Sequence, residues 1–298
     1  VAVPAQGCGS GINGFDHQTF GGGKFPEGKG PLLSYPHAVY YCSQDIATAF
    51  CARSDTGGLT FGAGVPMYTL ADCGGLHGHV KVAPDGTVYV PNSDCGGAPA
   101  MAVSTDAGLT WTVRRVPGAR GGEGDTSVAV GRDGTVYFSY SNAAGDPTVA
   151  VSRDRGQTWS RITNVGARLG LHNAVFPVGV AGDGDRAAVA FLASTTEGRG
   201  QNANYGKNET RTRYEGAEYH LYVASTADRG VSWRTVDVTG KDPVQRGRIC
   251  MGGTGCSGGD RNLLDFMDVT VDRQGRVLIG WADGCTGKCV TSTLVASN

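Results

Sequence analysis

The chain has 298 residues, a formal net charge of −1 and only 18% charged residues, so it carries no basic field that would draw nucleic acid or an anionic membrane. No apolar run approaches the roughly 18 residues that a membrane-spanning helix needs. Glycine fills 49 positions with no Gly-X-Y period, which excludes a collagen-like chain and suits many short strands joined by tight turns.

The predicted elements run as five β units. In the first, residues 15–20 read as the innermost strand, 38–41 and 47–53 as the second and third, and 66–70 as the fourth. The second unit is more regular. It has strand 79–83, a hairpin turn at Asp85-Gly86, strands 87–91 and 100–104, and strand 112–116. Asp-Gly between alternating apolar residues is a strong hairpin signal. The third unit repeats this with 127–130, 135–140, 148–152 and 160–164, so that Asp133 lies 48 residues after Asp85. The fourth has strands 176–181, 187–193, 219–225 and 234–238, with a polar insertion at 195–218. The fifth has 266–271, 275–281 and 293–296 and no fourth strand. A period of 40–50 residues with four β runs per unit reads as propeller blades. Two closures stay open. Residues 1–5 supply the missing outer strand of a five-bladed ring, or the chain is a fragment that a second chain completes to six or seven blades.

A turn motif punctuates the units. Ser104-Thr105-Asp106-Ala107-Gly108-Leu109-Thr110-Trp111 recurs at Ser152–Trp159 and at Thr226–Trp233. A looser copy, Asp55-Thr56-Gly57-Gly58-Leu59-Thr60-Phe61, reads as carrying one extra residue and Phe for Trp. Asp accepts backbone N–H bonds inside a tight turn, and Gly takes a positive φ. The terminal aromatic fills the space beneath.

The nine cysteines fall into close pairs, Cys42 with Cys51, Cys73 with Cys95, Cys250 with Cys256 and Cys285 with Cys289, leaving Cys8 over. No CxxC spacing exists, so disulfides are preferred to zinc thiolates. Bridges of this kind persist in oxidising compartments, and the expectation is a secreted protein. The chain opens on Val1 without a leader pattern and is read as mature or trimmed.

The turn motif resembles the Asp-box of the sialidase-like (BNR-repeat) β-propellers, of the secreted bacterial type. The resemblance implies an all-β fold, a β-propeller of four-stranded antiparallel blades with Asp-box turns, as a single domain over residues 1–298. It also implies a glycan ligand at the channel mouth. Sialidases of this kind hold the substrate carboxylate with three arginines, use a Tyr–Glu pair as nucleophile and an Asp as acid/base. On that resemblance Arg211, Arg213 and Arg261 are candidates for the clamp, Tyr214 with Glu215 for the nucleophile pair, and Asp125 or Asp16 for the acid. A tyrosine nucleophile suits an anionic sugar, which would repel an attacking carboxylate. The chain departs from the pattern in lacking an Arg-Ile-Pro motif.

The residues themselves point to the same place. Innermost strands start at the channel mouth, and there the five units offer Asp16 and His17, His77 and His79, Glu123 and Asp125, His172 and Asn173, and Arg261, Asp265 and Asp268. Converging imidazoles and carboxylates bind a divalent metal, calcium or a transition metal, and His17, His77, His79 and Asp268 are the candidate ligands. They equally serve as general acid and base. His172, Asn173 and Asp265 are candidate substrate contacts. The insertion joins strands two and three on the same face, where Arg211 and Arg213 suit a carboxylate. Asn208-Glu209-Thr210 within it is an N-glycosylation acceptor pattern. Three functions follow as expectations: hydrolysis or recognition of sialylated or acidic glycans, a non-catalytic carbohydrate- or protein-binding or adhesion propeller, and a metal-dependent hydrolase or lyase.

Overall fold

The computed structural model describes residues 16–33, 35–45, 48–122, 124–196, 217–247, 249–251, 263, 267–285 and 295–297. Five antiparallel sheets follow one another along the chain as meanders. Blade 1 holds β1 (Asp16–Lys24), β2 (His37–Gln44), β3 (Thr48–Ser54) and β4 (Val65–Thr69). Blade 2 holds β5 (Lys81–Val82), β6 (Val88–Asn92), β7 (Ala100–Ser104) and β8 (Thr112–Arg115). Blade 3 holds β9 (Ser127–Val130), β10 (Val136–Ser141), β11 (Pro147–Ser152) and β12 (Arg161–Asn164). Blade 4 holds β13 (His172–Ala181), β14 (Ala187–Ser194), β15 (Glu218–Thr226) and β16 (Arg234–Asp237), and a short β17 (Gln245–Arg246) pairs with β15. Blade 5 holds β18 (Met267–Val271), β19 (Val277–Asp283) and β20 (Val295–Ser297). Consecutive innermost strands touch in the series β1, β5, β9, β13 and β18, which is the arrangement of a β-propeller.

Burial explains the sequence pattern. β6, β7, β10, β11 and β14 are buried along their whole length. Each lies mid-blade between two neighbouring blades, so both faces are covered and the strands read as apolar runs rather than alternations. Close approach of the inner strands is made by glycine. A Cβ on Gly21 would lie 2.7 Å from the Val80 carbonyl oxygen, and one on Gly23 would lie 2.6 Å from Val82 Cγ1.

Three Asp-boxes fold identically. In the first, Ser104 Oγ donates to Asp106 Oδ1 at 2.8 Å, and Gly108 N–H donates to Ser104 Oγ at 2.9 Å. The Thr110 N–H and hydroxyl close on the two oxygens of Asp106 at 2.9 and 2.6 Å. Asp154 and Asp228 hold the same set. The fourth copy differs from its expected reading, for it has no extra residue. Gly58 N–H donates to Ser54 Oγ and Thr60 N–H to Thr56 Oγ1, both at 2.9 Å. Thr56 therefore stands where the other copies have Asp. Asp55, one position off, points elsewhere and pairs with Arg53 at 2.7 Å.

Each of the three Asp-boxes staples its blade to the one before. The box glycines Gly108, Gly156 and Gly230 sit with positive φ against Tyr40, Met101 and Val151 of the preceding blades. Trp159 Nε1 donates to the Arg115 carbonyl at 3.0 Å. Arg155 reaches back to Asp85 at 2.9 Å, and Arg229 to Asp133 at 3.4 Å. Disulfides Cys42–Cys51 and Cys73–Cys95 form as paired in the sequence. Cys250 and Cys285 are also disulfide-bonded, while Cys256, Cys289 and Cys8 lie outside the described residues.

Candidate functional site

The mouth carries two groups of polar side chains. The axial group starts with His17, which spans three blades. Its Nδ1 lies 2.8 Å from the His77 carbonyl oxygen and 3.6 Å from Asp125 Oδ1. A carbonyl only accepts, so Nδ1 carries a proton and donates it. His17 sits at φ 53°, inside a bulge that shifts the β1–β2 register between Asp16 and Thr19. A left-handed backbone at a non-glycine residue costs energy and re-aims the side chain.

His77 is fully buried, and its Nδ1 donates to the Gly78 carbonyl at 3.0 Å. Burial pushes its pKa down to about 4, so the ring is neutral. Its Nε2 is buried and closes no hydrogen bond to a described residue. His79 is exposed, yet partial desolvation lowers its pKa, helped by Lys81 and opposed by Asp268. Asp268, the second residue of β18, is thus within electrostatic reach of His79. The expected metal set does not assemble. Among the described residues no three His, Cys, Asp or Glu side chains are placed to hold an ion. The physical reason is clearest at His77, whose ring turns into the protein interior rather than into the channel.

The rim group is built on the turn between β10 and β11. Asn142 closes that turn by accepting from Ala144 and Asp146 N–H at 2.8 and 2.9 Å. Gly145, at φ 86°, lets the start of β13 approach, since a Cβ there would lie 3.1 Å from Asn173 N. The result places His172 Nδ1 2.9 Å from Asp146 Oδ1. The carboxylate accepts, so Nδ1 holds a proton toward it, and in the neutral tautomer this selects, Nε2 carries the lone pair. His172 is about one-third exposed, at 37% of its side chain. The same turn receives the link between blades 2 and 3, where Ala143 N–H donates to the Arg120 carbonyl at 3.0 Å. The Arg120 side chain is exposed and has no carboxylate partner among the described residues.

Sequence reasoning missed Asp146 and Arg120. The one signal for Asp146 is a departure from the repeat, for Asp146-Pro147 stands where the blade before has Ala98-Pro99. Asn173, expected as a substrate contact, is instead 1% exposed at φ 55°, and its amide donates to the Thr196 carbonyl at 2.7 Å. It shapes the strand entry. Asp16 begins β1, but its side chain lies outside the described residues, as do Glu123, Arg211, Arg213, Tyr214, Glu215, Arg261 and Asp265.

Blades and staples together define a β-propeller with Asp-box turns. The BNR/Asp-box repeat family matches residues 150–161, the copy in blade 3. No curated protein sequence matches the chain. Among solved structures, a PL25 polysaccharide lyase, ulvan lyase bound to -[GlcA(1-4)Rha3S]-, aligns with a TM-score of 0.54 and 14% identity over 94% of this chain and 68% of its own. The Hadza microbial sialidase Hz136 aligns with a TM-score of 0.48 and 16% identity over 90% of this chain and 50% of its own. A K499G mutant of NanB sialidase from Streptococcus pneumoniae aligns with a TM-score of 0.44 and 14% identity over 83% of this chain and 33% of its own. The chain therefore spans half the length of the first sialidase and a third of the second.

Proposed function

We propose that this protein acts on acidic glycans at the channel mouth, with His172 as general base and acid and Asp146 as the group that orients it. The observation carrying this is the 2.9 Å contact from His172 Nδ1 to Asp146 Oδ1. It fixes the tautomer that leaves Nε2 to take a proton, from water in a hydrolysis or from the carbon beside a uronate carboxylate in an elimination. Arg120, on the link between blades 2 and 3 that bonds to this turn, supplies a planar cation suited to a sugar carboxylate or sulfate. The likeness in fold to the ulvan lyase bound to -[GlcA(1-4)Rha3S]-, an acidic polysaccharide, supports the choice of substrate class. Disulfides at Cys42–Cys51 and Cys73–Cys95 support an extracellular setting.

The test is product release from a panel of uronate-bearing and sulfated polysaccharides and a fluorogenic sialoside. Reducing ends report either reaction, ultraviolet absorbance of an unsaturated uronate marks elimination, and a released aglycone marks sialidase action. Asp146→Asn and His172→Ala should each lower the rate by roughly 10²–10⁴-fold. Full activity in both variants sinks the assignment.

A further inference from the structure

The face opposite the mouth carries a groove of about 1340 Å³. It opens where the innermost strands end, between Lys24 of blade 1, Pro84 of blade 2, Arg132 of blade 3 and Arg273 of blade 5. It then runs outward past Ala187 and Trp233 of blade 4 to Arg234 and to Arg168 on the link between blades 3 and 4. Six cationic side chains line it, those of Lys24, Arg132, Arg168, Arg186, Arg234 and Arg273, against two carboxylates, Asp183 and Asp272. Both carboxylates are engaged, Asp183 by Arg186 and Asp272 by Arg276. The other five cations have no carboxylate partner among the described residues. Arg132 lies near enough to Asp183 to feel its charge without pairing. In a chain of net charge −1 this concentration is local rather than compositional.

We infer that this groove binds a linear acidic polysaccharide and seats its sulfate or carboxylate groups on the arginines. The cations are spread from innermost to outermost strands, which matches a series of anions along a chain rather than one small ion. Guanidinium forks suit sulfate and carboxylate oxygens. Between the charges the lining is small and apolar, at Val130, Ala181, Ala187 and Val271, which suits the face of a sugar ring. Trp233 is the one aromatic residue among the described lining residues, and its Nε1 is buried. Single-stranded nucleic acid, which needs exposed stacking platforms, is therefore disfavoured. The groove lies across the protein from His172, so it holds a chain and does not cleave it. It rests on the acidic-glycan reading only for the kind of chain expected.

The experiment is calorimetric titration with a heparin-derived hexasaccharide at low ionic strength. Binding is expected, and it should weaken as salt rises. Arg132→Ser with Arg273→Ser, and separately Arg168→Ser with Arg234→Ser, should each weaken it at least tenfold with thermal stability unchanged. The mouth variants Arg120→Ser and His172→Ala should leave it as in the wild type. A desulfated hexasaccharide, which keeps only its carboxylates, should bind at least tenfold more weakly. No wild-type binding, affinity unmoved by both arginine pairs, equal loss in Arg120→Ser, or equal binding of a single-stranded DNA oligomer of matched charge would overturn the inference. Because the readout is binding, a mouth found inactive leaves the groove standing, and an empty groove leaves the mouth standing.

Discussion

Replacing Gly230 with alanine measures how much of the Asp-box is a staple between blades and how much is only a corner. Gly230 sits at φ 75°, and a Cβ there would lie 2.7 Å from Val151 Cγ2 of the preceding blade. Holding an L-residue in the left-handed region costs about 1–2 kcal/mol. Val151 is 1% exposed and β-branched, so it cannot turn aside. Overpacking against it adds about 1–3 kcal/mol. Gly58 separates the two contributions. It sits at φ 88° in the matching position, makes the same 2.9 Å bond to a hydroxyl, and has nothing within 4 Å of an added Cβ. Gly58→Ala should therefore cost only the backbone share, about 1–2 kcal/mol, and Gly230→Ala about 2–5 kcal/mol. Urea unfolding at neutral pH reads both. A double-mutant cycle of Gly230→Ala with Val151→Ala should show a coupling of at least about 1 kcal/mol, the smaller side chain relieving the clash. Equal losses at the two glycines, or no coupling to Val151, would refute the staple.

Three further outcomes are expected. His77 has a pKa held down near 4 by burial, whereas the unfolded chain titrates near 6.5. The unfolded state thus binds more protons in between, and the His77 share of stability is complete above about pH 6.5 and lost as pH falls towards 4. His77→Gln should flatten the fall in melting temperature between pH 7 and 5, and an unchanged slope would count against a buried neutral ring. Hydrogen bonds from the Ser232 hydroxyl and backbone, with Thr226, hold Asp228 down at about 2. That stability is present above about pH 4 and lost as pH falls through 2, so Asp228→Asn should make the acid transition shallower between pH 4 and 2 in a circular-dichroism titration. The Cys73–Cys95 bridge closes a sequence separation of 22 residues. Cys73→Ser with Cys95→Ser should cost about 3 kcal/mol in denaturant, and a loss below about 1 kcal/mol would show that the unfolded chain is not the state it constrains.

Much of the architecture was legible in the chain because its signals are local. An Asp-box closes its bonds within four residues, from Ser152 to Gly156 and from Asp154 to Thr158, so residue type and spacing suffice to recognise it. The hairpin at Asp133-Gly134 is local in the same sense, with Gly134 N–H returning to the Gly131 carbonyl. The misread fourth box marks the limit of that legibility. Asp55 and Thr56 are adjacent acceptors, and a one-residue slip sends a strand side chain to the opposite face. Only the folded register showed that Thr56 takes the inner place and Asp55 goes to Arg53.

The mouth belonged to the tertiary structure. Aligned repeats placed His17, His79, Asp125, His172 and Asp268 at one end of the blades. They did not say which side chain meets which. His172 finds Asp146 across 26 residues, and His17 finds the His77 carbonyl across 60. Those partners are set by how neighbouring blades twist and pack, through close approaches such as Gly145 beneath Asn173. Repeat spacing decides the order of blades around an axis, and packing between them decides which titratable groups stand within a hydrogen bond of each other.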